Sequence, residues 1–425
     1  MTRHNRTELS CTIFLIGAIT AALAWTRSGF ALSNYPWIFP DSFDWIVNGL
    51  AYASVPEVTI NHRPILYPLV VAALERYGLL DLSALYGTVG FFIGEAVLGT
   101  LGSRAAPARA GLLAAIFYAT NAKVLAQSAV VGADVTAAAL ISLSALSFLR
   151  FLQTDGRRWL GVSILSAALS SQAQYLIVIL IPVLLIFSLL DTTSQRWVLG
   201  LSRLRKLASE PLSWGFLFAG LSLVLLLLLP RIIKYAVVYE AHVAHVSLIS
   251  PSFANAPFYL FALPAFFSWP IVLLAILGTI MGNSDPDCRL VTRFASMWAA
   301  AVLIFFAILY SYVAIRFLIY AAAPIFILAS IGARQLTVTL RQYGRLHLIM
   351  LPVLLGTIGL AHLAHSDEPF NSDIVVSPVR VLTLLENGTT KTRSVDSWLA
   401  LKAMPPPQVP ARIVDQRATD AAGAE

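Results

Sequence analysis

Long apolar runs, each bounded by charged residues or prolines, follow one another along most of this chain. A transmembrane helix needs about 20 consecutive apolar residues, so we interpret the runs as about eleven spans. The two runs before residue 191 are short and could instead form one broken hairpin. The pattern predicts an all-α fold, a polytopic transmembrane helical bundle, with spans at 11–32, 83–102, 108–123, 131–152, 158–171, 174–191, 213–230, 257–281, 294–312, 315–333 and 346–364.

Charged residues are scarce in this chain. Only 12% of the 425 residues are charged and 58% are hydrophobic, whereas about 25% are charged in an average soluble domain. So few charges cannot cover a water-soluble fold, which excludes a soluble enzyme. The net charge is +7, and the basic residues lie in short clusters between apolar runs. Such clusters are typical of membrane orientation and argue against a nucleic-acid partner.

The distribution of Lys and Arg predicts which ends of the spans face the cytoplasm. With the N-terminus inside, sixteen of them fall on cytoplasmic segments and six on exterior loops. The positive-inside rule selects this orientation. We therefore expect a transmembrane domain over 1–364 and an exterior, partly disordered tail over 365–425. The sixteen are Arg3, Arg6, Arg104, Arg109, Arg150, Arg157, Arg158, Arg196, Arg203, Arg205, Lys206, Arg289, Arg293, Arg334, Arg341 and Arg345.

The first exterior loop, 33–82, is rich in acidic residues. In the sequence PDSFDW, the initial Pro40 ends an extended segment, and Asp41 suits the N-cap of an amphipathic helix. Asp44 follows three residues later, so both carboxylates lie near the same end of that helix. Asp41 either caps the helix or acts as a general base that removes a proton from an acceptor hydroxyl or amine.

A second polar group in this loop opens a predicted helix that runs to about Tyr77. His62 and Arg63 stand before its first turn, at the depth of an anionic lipid headgroup. A guanidinium fork matches phosphate well. An arginine at the end of a span is, however, more often an anchor that extends to water. Arg63 therefore has two interpretations, a phosphate ligand and an interfacial anchor.

Later exterior positions carry further polar side chains. Asp134 begins the fourth span, where an acid either caps the helix or faces the protein interior or a wet cavity. Gln172 and Gln174 occupy the turn between the fifth and sixth spans and bind either a sugar or the backbone of the turn. Arg316 begins a late span among aromatic residues, again at phosphate depth. The remaining candidates for substrate binding are Arg231 and Lys234.

The order of these features resembles the GT-C superfamily of polytopic glycosyltransferases, especially its bacterial branch related to protein mannosyltransferases and the lipid A aminoarabinose transferase. The resemblance rests on Asp41 and Asp44 after the first span, and on Arg63-Pro64 at the start of the next helix. Asp134 at the start of a span and Arg316-Phe317 near the last spans complete it. It covers roughly residues 10 to 335 in pattern and topology. It implies the bacterial inner membrane, with the active site and the tail on the periplasmic side.

The resemblance also implies a reaction. It points to an inverting transferase that takes a sugar from a polyprenyl phosphate or diphosphate at the non-cytoplasmic face. Asp41 would be the base that activates the acceptor, which is a lipid, a glycan or a protein. Asp44 and Asp134 would assist by binding acceptor or sugar, and Arg63 and Arg316 would bind the donor phosphate. The implied partners are the polyprenyl-linked donor and membrane lipids.

Two departures from the family pattern leave details open. Ser42 stands where many members have Glu, and Gln172 or Gln174 stands where many have arginine. The acceptor and any requirement for a divalent cation therefore stay open, and no cofactor is firmly implied. We keep two alternatives: a transporter or flippase for a lipid-linked or anionic substrate, and a catalytically inactive homologue. Transporters usually show internal repeats and charged spans at mid-membrane depth. Here we see no convincing repeat, and we expect the polar residues at the exterior rim.

Overall fold

The described part of the chain is almost entirely helical, as the apolar pattern predicts. The predicted spans 11–32 and 346–364, and nearly all of 213–230, lie outside it. In this computed structural model it comprises residues 37–38, 45–46, 48–50, 52–53, 63–105, 110–128, 132–191, 198–199, 221, 251, 253–310, 314–341 and 374–375.

We number the described α-helices in chain order. They are α1 (Leu66–Arg76), α2 (Leu85–Val97), α3 (Ala110–Thr120), α4 (Ala122–Ser128), α5 (Asp134–Thr154), α6 (Arg157–Ala173), α7 (Leu180–Leu189), α8 (Ala256–Phe267), α9 (Trp269–Ser284), α10 (Arg289–Ile304) and α11 (Ala322–Arg341). Short 3-10 helices span Leu80–Ala84, Tyr175–Ile179, Phe253–Asn255 and Ile315–Ala321. A π turn at Leu98–Gly102 extends α2 to Ala105, and another at Phe305–Leu309 extends α10.

Two small antiparallel strand pairs accompany the helices. β1 (Trp37–Ile38) pairs with β4 (Ile374–Val375), and β2 (Leu190–Asp191) pairs with β3 (Val198–Leu199). The first pair places a piece of the first loop beside a piece of the C-terminal tail.

Four helical stretches in the described residues are long and apolar enough to cross a membrane. Each overlaps a span that the sequence predicts. The chain is therefore a multi-pass membrane protein. The four stretches are Leu85–Ala105, Asp134–Thr154, Arg289–Leu309 and Ile315–Thr339.

The predicted span over 257–281 contains a sharp bend. Two helices, α8 and α9, occupy this stretch and meet at an angle of 105°. Pro270 explains the break, because it has no N–H to continue the hydrogen bonding of α8, and it is well suited to the first turn of the new helix. Ser268 makes the corner with a φ of 68°, in the left-handed region that few non-glycine residues adopt.

A buried asparagine stabilises this corner. In a continuous helix the N–H of residue 270 would bond to the carbonyl oxygen of Phe266. The amide nitrogen of Asn121 takes that place and donates to this oxygen over 2.9 Å. The amide oxygen of Asn121 also accepts from the N–H of Val124 at 2.9 Å, which caps the start of α4. Asn121 thus joins the break between α3 and α4 to the break between α8 and α9.

Interhelical hydrogen bonds define two ends of the bundle. Near one end, the Thr136 hydroxyl donates to the carbonyl of Tyr86 at 3.0 Å. Near the other, the side chains of Arg150 and Gln153 donate to the carbonyls of residues 104 and 105 at 2.7 Å. Helices α2 and α5 therefore run parallel, as their predicted alternation with α3 requires. We call these the Asp134 end, after the first residue of α5, and the arginine end, where Arg150 lies.

An acidic residue holds the arginine end of α11. Oδ2 of Asp285, in the loop between α9 and α10, accepts hydrogen bonds from Arg334 at 2.9 Å and Gln335 at 2.6 Å. Partial burial disfavours the charged carboxylate. The bonds from Arg334, Gln335 and the Asp287 backbone outweigh this effect and lower the pKa of Asp285 to about 2. The loop is thus tied to α11 by an ion pair at physiological pH.

Glycines allow α9 and α11 to pack closely. A Cβ atom on Gly278 would collide with the carbonyl oxygen of Leu328, and one on Gly332 would collide with that of Leu274. Small residues at such positions let membrane helices approach backbone to backbone. This contact fixes α11, whose preceding 3-10 helix carries residues of the candidate site.

Candidate active site

Asp134 is the centre of a polar cluster built from three distant parts of the chain. Its Oδ1 accepts a hydrogen bond from the Tyr320 hydroxyl at 2.7 Å and another from the Gln174 amide nitrogen at 3.2 Å. Its Oδ2 lies 4.0 Å from Nε of Arg316, an ion-pair distance that is too long for a hydrogen bond. The cluster thus joins one carboxylate, one guanidinium, one phenol and one amide.

The Asp134 carboxylate does not cap its own helix. The N-cap of α5 is Ala133, and no side chain caps this helix end. Asp134 is the next residue, and its hydrogen bonds go to Tyr320 and Gln174 instead. Of the two interpretations from sequence, capping and orientation toward the protein interior, the structure supports the second.

Local structure fixes the donor to Asp134 at Gln174. This residue is the N-cap of the 3-10 helix Tyr175–Ile179, and its amide oxygen accepts from the Tyr175 N–H at 3.2 Å. Because the oxygen is committed to the cap, the amide nitrogen points to Asp134. The sequence left open whether Gln174 binds a sugar or the backbone of the turn. Its amide oxygen binds the backbone of the turn.

Arg316 lies at the start of the 3-10 helix Ile315–Ala321, with 16% of its side chain exposed beside a carboxylate that is 22% exposed. The Gln127 amide nitrogen donates to the Arg316 carbonyl at 3.1 Å. The guanidinium carbon lies 5.4 Å from the centre of the Phe317 ring, which is cation–π distance. Both charged groups can therefore reach a ligand at the surface of this end.

Arg63 belongs to the same end through a continuous chain of contacts. Its guanidinium carbon lies 5.5 Å from the centre of the Trp45 ring. That ring is 6.1 Å from Tyr67, which stacks on Tyr86 at 4.5 Å. The Tyr86 carbonyl accepts the hydrogen bond from Thr136 in the first turn of α5. Trp45 and Tyr67 thus dock Arg63 and α1 on α2, which Thr136 joins to the helix that Asp134 begins.

The predicted location of Gln172 is wrong. We expected it in an exterior turn, but it lies in the last turn of α6 with 3% of its surface exposed. Its amide nitrogen donates to the Ser171 hydroxyl at 3.1 Å rather than to Asp134. The reason is that α6 extends to Ala173, so the break in the chain comes at Gln174.

Several predicted site residues lie outside the described part of the chain. They are Asp41, Asp44, His62, Arg231 and Lys234. Their roles stay predictions. Among the described residues, no three His, Cys, Asp or Glu side chains form a group that could hold a metal ion.

Sequence reasoning missed two polar residues inside the bundle. Gln127, which contacts Arg316, looked like an ordinary helix residue, and only the fold brings it to the site. Glu95 lies in the middle of the span Leu85–Ala105 with 5% of its surface exposed. The apolar residues on both sides of Glu95 could have identified it as a candidate. An acid at mid-membrane depth is costly and is therefore often functional. Glu95 is therefore an exception to the expectation that the polar residues lie at the exterior rim.

Comparisons with known proteins agree with this architecture. Residues 90–209, which include Asp134 and Gln174, match the family described as dolichyl-phosphate-mannose-protein mannosyltransferase. A search of curated protein sequences gives no significant match.

Solved structures resemble this chain over most of its length. ArnT from Cupriavidus metallidurans in the apo state is 17% identical, with a TM-score of 0.58 over 91% of this chain and 75% of ArnT. The chain has the GT-C fold. ArnT bound to undecaprenyl phosphate is 16% identical, with the same TM-score of 0.58 over 90% of this chain and 75% of ArnT. The oligosaccharyltransferase AglB from Archaeoglobus fulgidus, in complex with an inhibitory peptide and a dolichol-phosphate, is 11% identical, with a TM-score of 0.58 over 96% of this chain and 61% of AglB.

Proposed function

We propose that this protein is an integral membrane glycosyltransferase. It transfers a sugar from a polyprenyl phosphate or diphosphate donor to a lipid, glycan or protein acceptor. The reaction takes place at the Asp134 end of the bundle, on the non-cytoplasmic face. In a bacterial cell this is the periplasmic face of the inner membrane.

The geometry around Asp134 is the observation that carries the proposal. Oδ1 is occupied by the donors from Tyr320 and Gln174, so Oδ2 is the oxygen left to accept a hydrogen bond from a substrate hydroxyl. Arg316 lies beside this oxygen at 4.0 Å and suits a phosphate group. A carboxylate that can bind a sugar hydroxyl lies next to a guanidinium that can bind a phosphate. This pair suits a substrate in which a sugar is esterified to phosphate. The GT-C fold is shared with an ArnT that binds undecaprenyl phosphate.

The chemistry is a single displacement with inversion. The acceptor oxygen or nitrogen attacks the anomeric carbon of the sugar, and the bond from that carbon to the phosphate oxygen breaks. Asp41 takes the proton of the acceptor as general base, with Asp44 beside it. The polyprenyl phosphate, or the polyprenyl diphosphate of a diphosphate donor, leaves with the electron pair, and Arg63 and Arg316 stabilise its charge. Since phosphate is already a good leaving group, a base and cationic side chains suffice.

A lipid analysis tests the proposed function. The membranes of a strain that lacks this protein should accumulate a polyprenyl phosphate or diphosphate that carries a sugar, and a lipid extract should contain it. A wild-type copy of the gene should remove this lipid. An unchanged lipid profile, together with no sugar transfer from undecaprenyl-phosphate-linked sugars by the purified protein in liposomes, would contradict a transferase.

A transporter of a lipid-linked substrate is the second candidate, and Glu95 favours it. Acidic residues inside spans often mark ion or proton pathways. The two functions differ in turnover, because a transporter moves the lipid-linked sugar between leaflets and leaves its glycosidic bond intact. Protein in liposomes with the donor in one leaflet separates them. A transporter gives leaflet exchange without acceptor, and a transferase gives free polyprenyl phosphate only with acceptor.

A further inference from the structure

A buried amide in the first loop has no hydrogen-bond partner. Asn48 lies among the helical residues 45–46, 48–50 and 52, and only 1% of its surface is exposed. Neither its nitrogen nor its oxygen is hydrogen bonded to any residue that the structure describes. Most buried amides satisfy both groups. Asn48 is therefore an exception that calls for an explanation.

Packing alone does not explain an asparagine at this position. A buried polar group without a hydrogen bond destabilises the folded state, and asparagine is a poor helix former. Leucine has the same branched shape with somewhat larger terminal groups, suits a helix and would bury without an unsatisfied group. An apolar side chain at this position would therefore avoid the cost of an unsatisfied amide.

The surroundings of Asn48 belong to the candidate active site. Its neighbour Gly49 packs against α1, where a Cβ atom would collide with Val71. Trp45, three residues earlier and thus one helical turn away, carries the Arg63 guanidinium over its ring. One helical turn thus separates Asn48 from the tryptophan that contacts the arginine we assign to the donor phosphate.

The sequence spacing connects Asn48 with the proposed catalytic acids. It follows Asp44 by four residues and Asp41 by seven. Positions that are four and seven apart repeat on one face of an α-helix. The spacing alone is therefore compatible with one helix face for the two acids and this amide.

We propose that Asn48 binds the sugar of the lipid-linked donor, an inference that rests on the proposed function. An amide offers both a donor and an acceptor, and a sugar with neighbouring hydroxyls can use both. A phosphate oxygen accepts only, so it would leave the amide oxygen unsatisfied. Sugar binding displaces the groups that cover the amide and supplies both of its missing hydrogen bonds.

The experiment replaces Asn48 with leucine and compares binding, transfer and stability. Thr292→Val is the matched control, because the Thr292 hydroxyl is also fully buried without a hydrogen-bond partner among the described residues, and it lies on α10 near the arginine end. The probes are undecaprenyl phosphate alone and the same lipid linked to glucose, mannose or arabinose. Native mass spectrometry measures binding, and transfer in liposomes gives KM for the donor.

We expect Asn48→Leu to keep or raise the melting temperature and to bind undecaprenyl phosphate as the wild type does. Affinity for the accepted sugar-linked lipid should fall about 10-fold, which corresponds to the loss of one or two net hydrogen bonds, and KM should rise to match. Thr292→Val should change neither. If Asn48→Leu does not fold, Asn48→Ala and Asn48→Ser replace it in the same comparison.

The outcomes separate this proposal from the proposed function. A folded Asn48 variant with wild-type affinity and KM for the sugar-linked lipid overturns the role of Asn48 while the transferase stands. Equal weakening for the lipid with and without sugar also overturns it, because the contact would then be with phosphate or carrier. A wild-type protein that neither binds nor uses any of the sugar-linked lipids overturns both.

Discussion

The Tyr320 hydroxyl donates a 2.7 Å hydrogen bond to Oδ1 of Asp134, although 186 residues separate the two in the chain. The bond joins the 3-10 helix before α11 to the first residue of α5. With Gln174 on the same oxygen, it fixes the carboxylate and turns Oδ2 toward Arg316. The candidate site therefore depends on the relative position of helices that the sequence places far apart.

Removal of the Tyr320 hydroxyl tests this arrangement. Tyr320→Phe keeps the ring that packs on Phe306 but takes one donor from Asp134. We expect a loss of about 0.5–1.5 kcal/mol in stability and a fall in transfer rate of about 10-fold, because the carboxylate is no longer held in place. Tyr118→Phe is the control, since the Tyr118 hydroxyl has no hydrogen-bond partner in the described residues. Equal effects of the two variants on transfer would count against a role of Tyr320 in the site.

The two arginines are expected to act on the donor. Arg63→Ala and Arg316→Ala each remove a charge-assisted hydrogen bond of about 1.5–3 kcal/mol to phosphate, so KM for the donor should rise about 10-fold or more. Lysine at either position should restore only part of this loss, since it lacks the planar fork. Donor titrations in liposomes provide the measurement. Wild-type donor dependence in both alanine variants would reduce these residues to interfacial anchors.

The corner between α8 and α9 gives a stability prediction at Asn121. Asn121→Leu leaves the buried Phe266 carbonyl without its donor and removes the cap of α4. We expect a loss of about 2–4 kcal/mol from an unsatisfied carbonyl and a lost N-cap together. Asn121→Asp retains the cap oxygen but places a second oxygen against the buried Phe266 carbonyl, so it should destabilise at least as much as Asn121→Leu. Thermal unfolding in detergent measures both, and a wild-type melting temperature for Asn121→Leu would show that the corner does not need this bond.

Membrane orientation is tested by reporter fusions. Fusions after Arg104, Arg157, Arg205, Arg289 and Arg341 should read cytoplasmic, and fusions near Asn61, His242 and Ser372 should read exterior, as the count of basic residues predicts. The described basic residues Arg104, Arg150, Arg157 and Arg158 lie together at the arginine end. An exterior signal at Arg205 would overturn the assignment of spans from that point onward.

The helices were predictable because their signal is local. Apolar length alone gave the spans that contain Asp134 and Arg316, and the position of these charges at span ends gave two members of the cluster. Their partners were not predictable, since hydrogen bonds from Tyr320 and Gln174 depend on packing between distant segments. The bend at Ser268 was missed because apolar content continues through it, although Pro270 was the signal. Glu95 was not predicted because the candidate residues came from the ends of spans, whereas Glu95 lies within one.

The proposal that this protein is a transferase with a general base depends most directly on Asp41. Asparagine caps a helix about as well as aspartate but cannot take a proton, whereas alanine does neither. We measure sugar transfer from an undecaprenyl-phosphate-linked donor in liposomes, with the wild type, Asp41→Asn and Asp41→Ala adjusted to equal amounts of folded protein. We expect Asp41→Asn to keep the wild-type melting temperature and to lose at least about 100-fold in rate. Full activity of Asp41→Asn, with a loss of about 1 kcal/mol of stability only in Asp41→Ala, would contradict it and leave Asp41 as a helix cap.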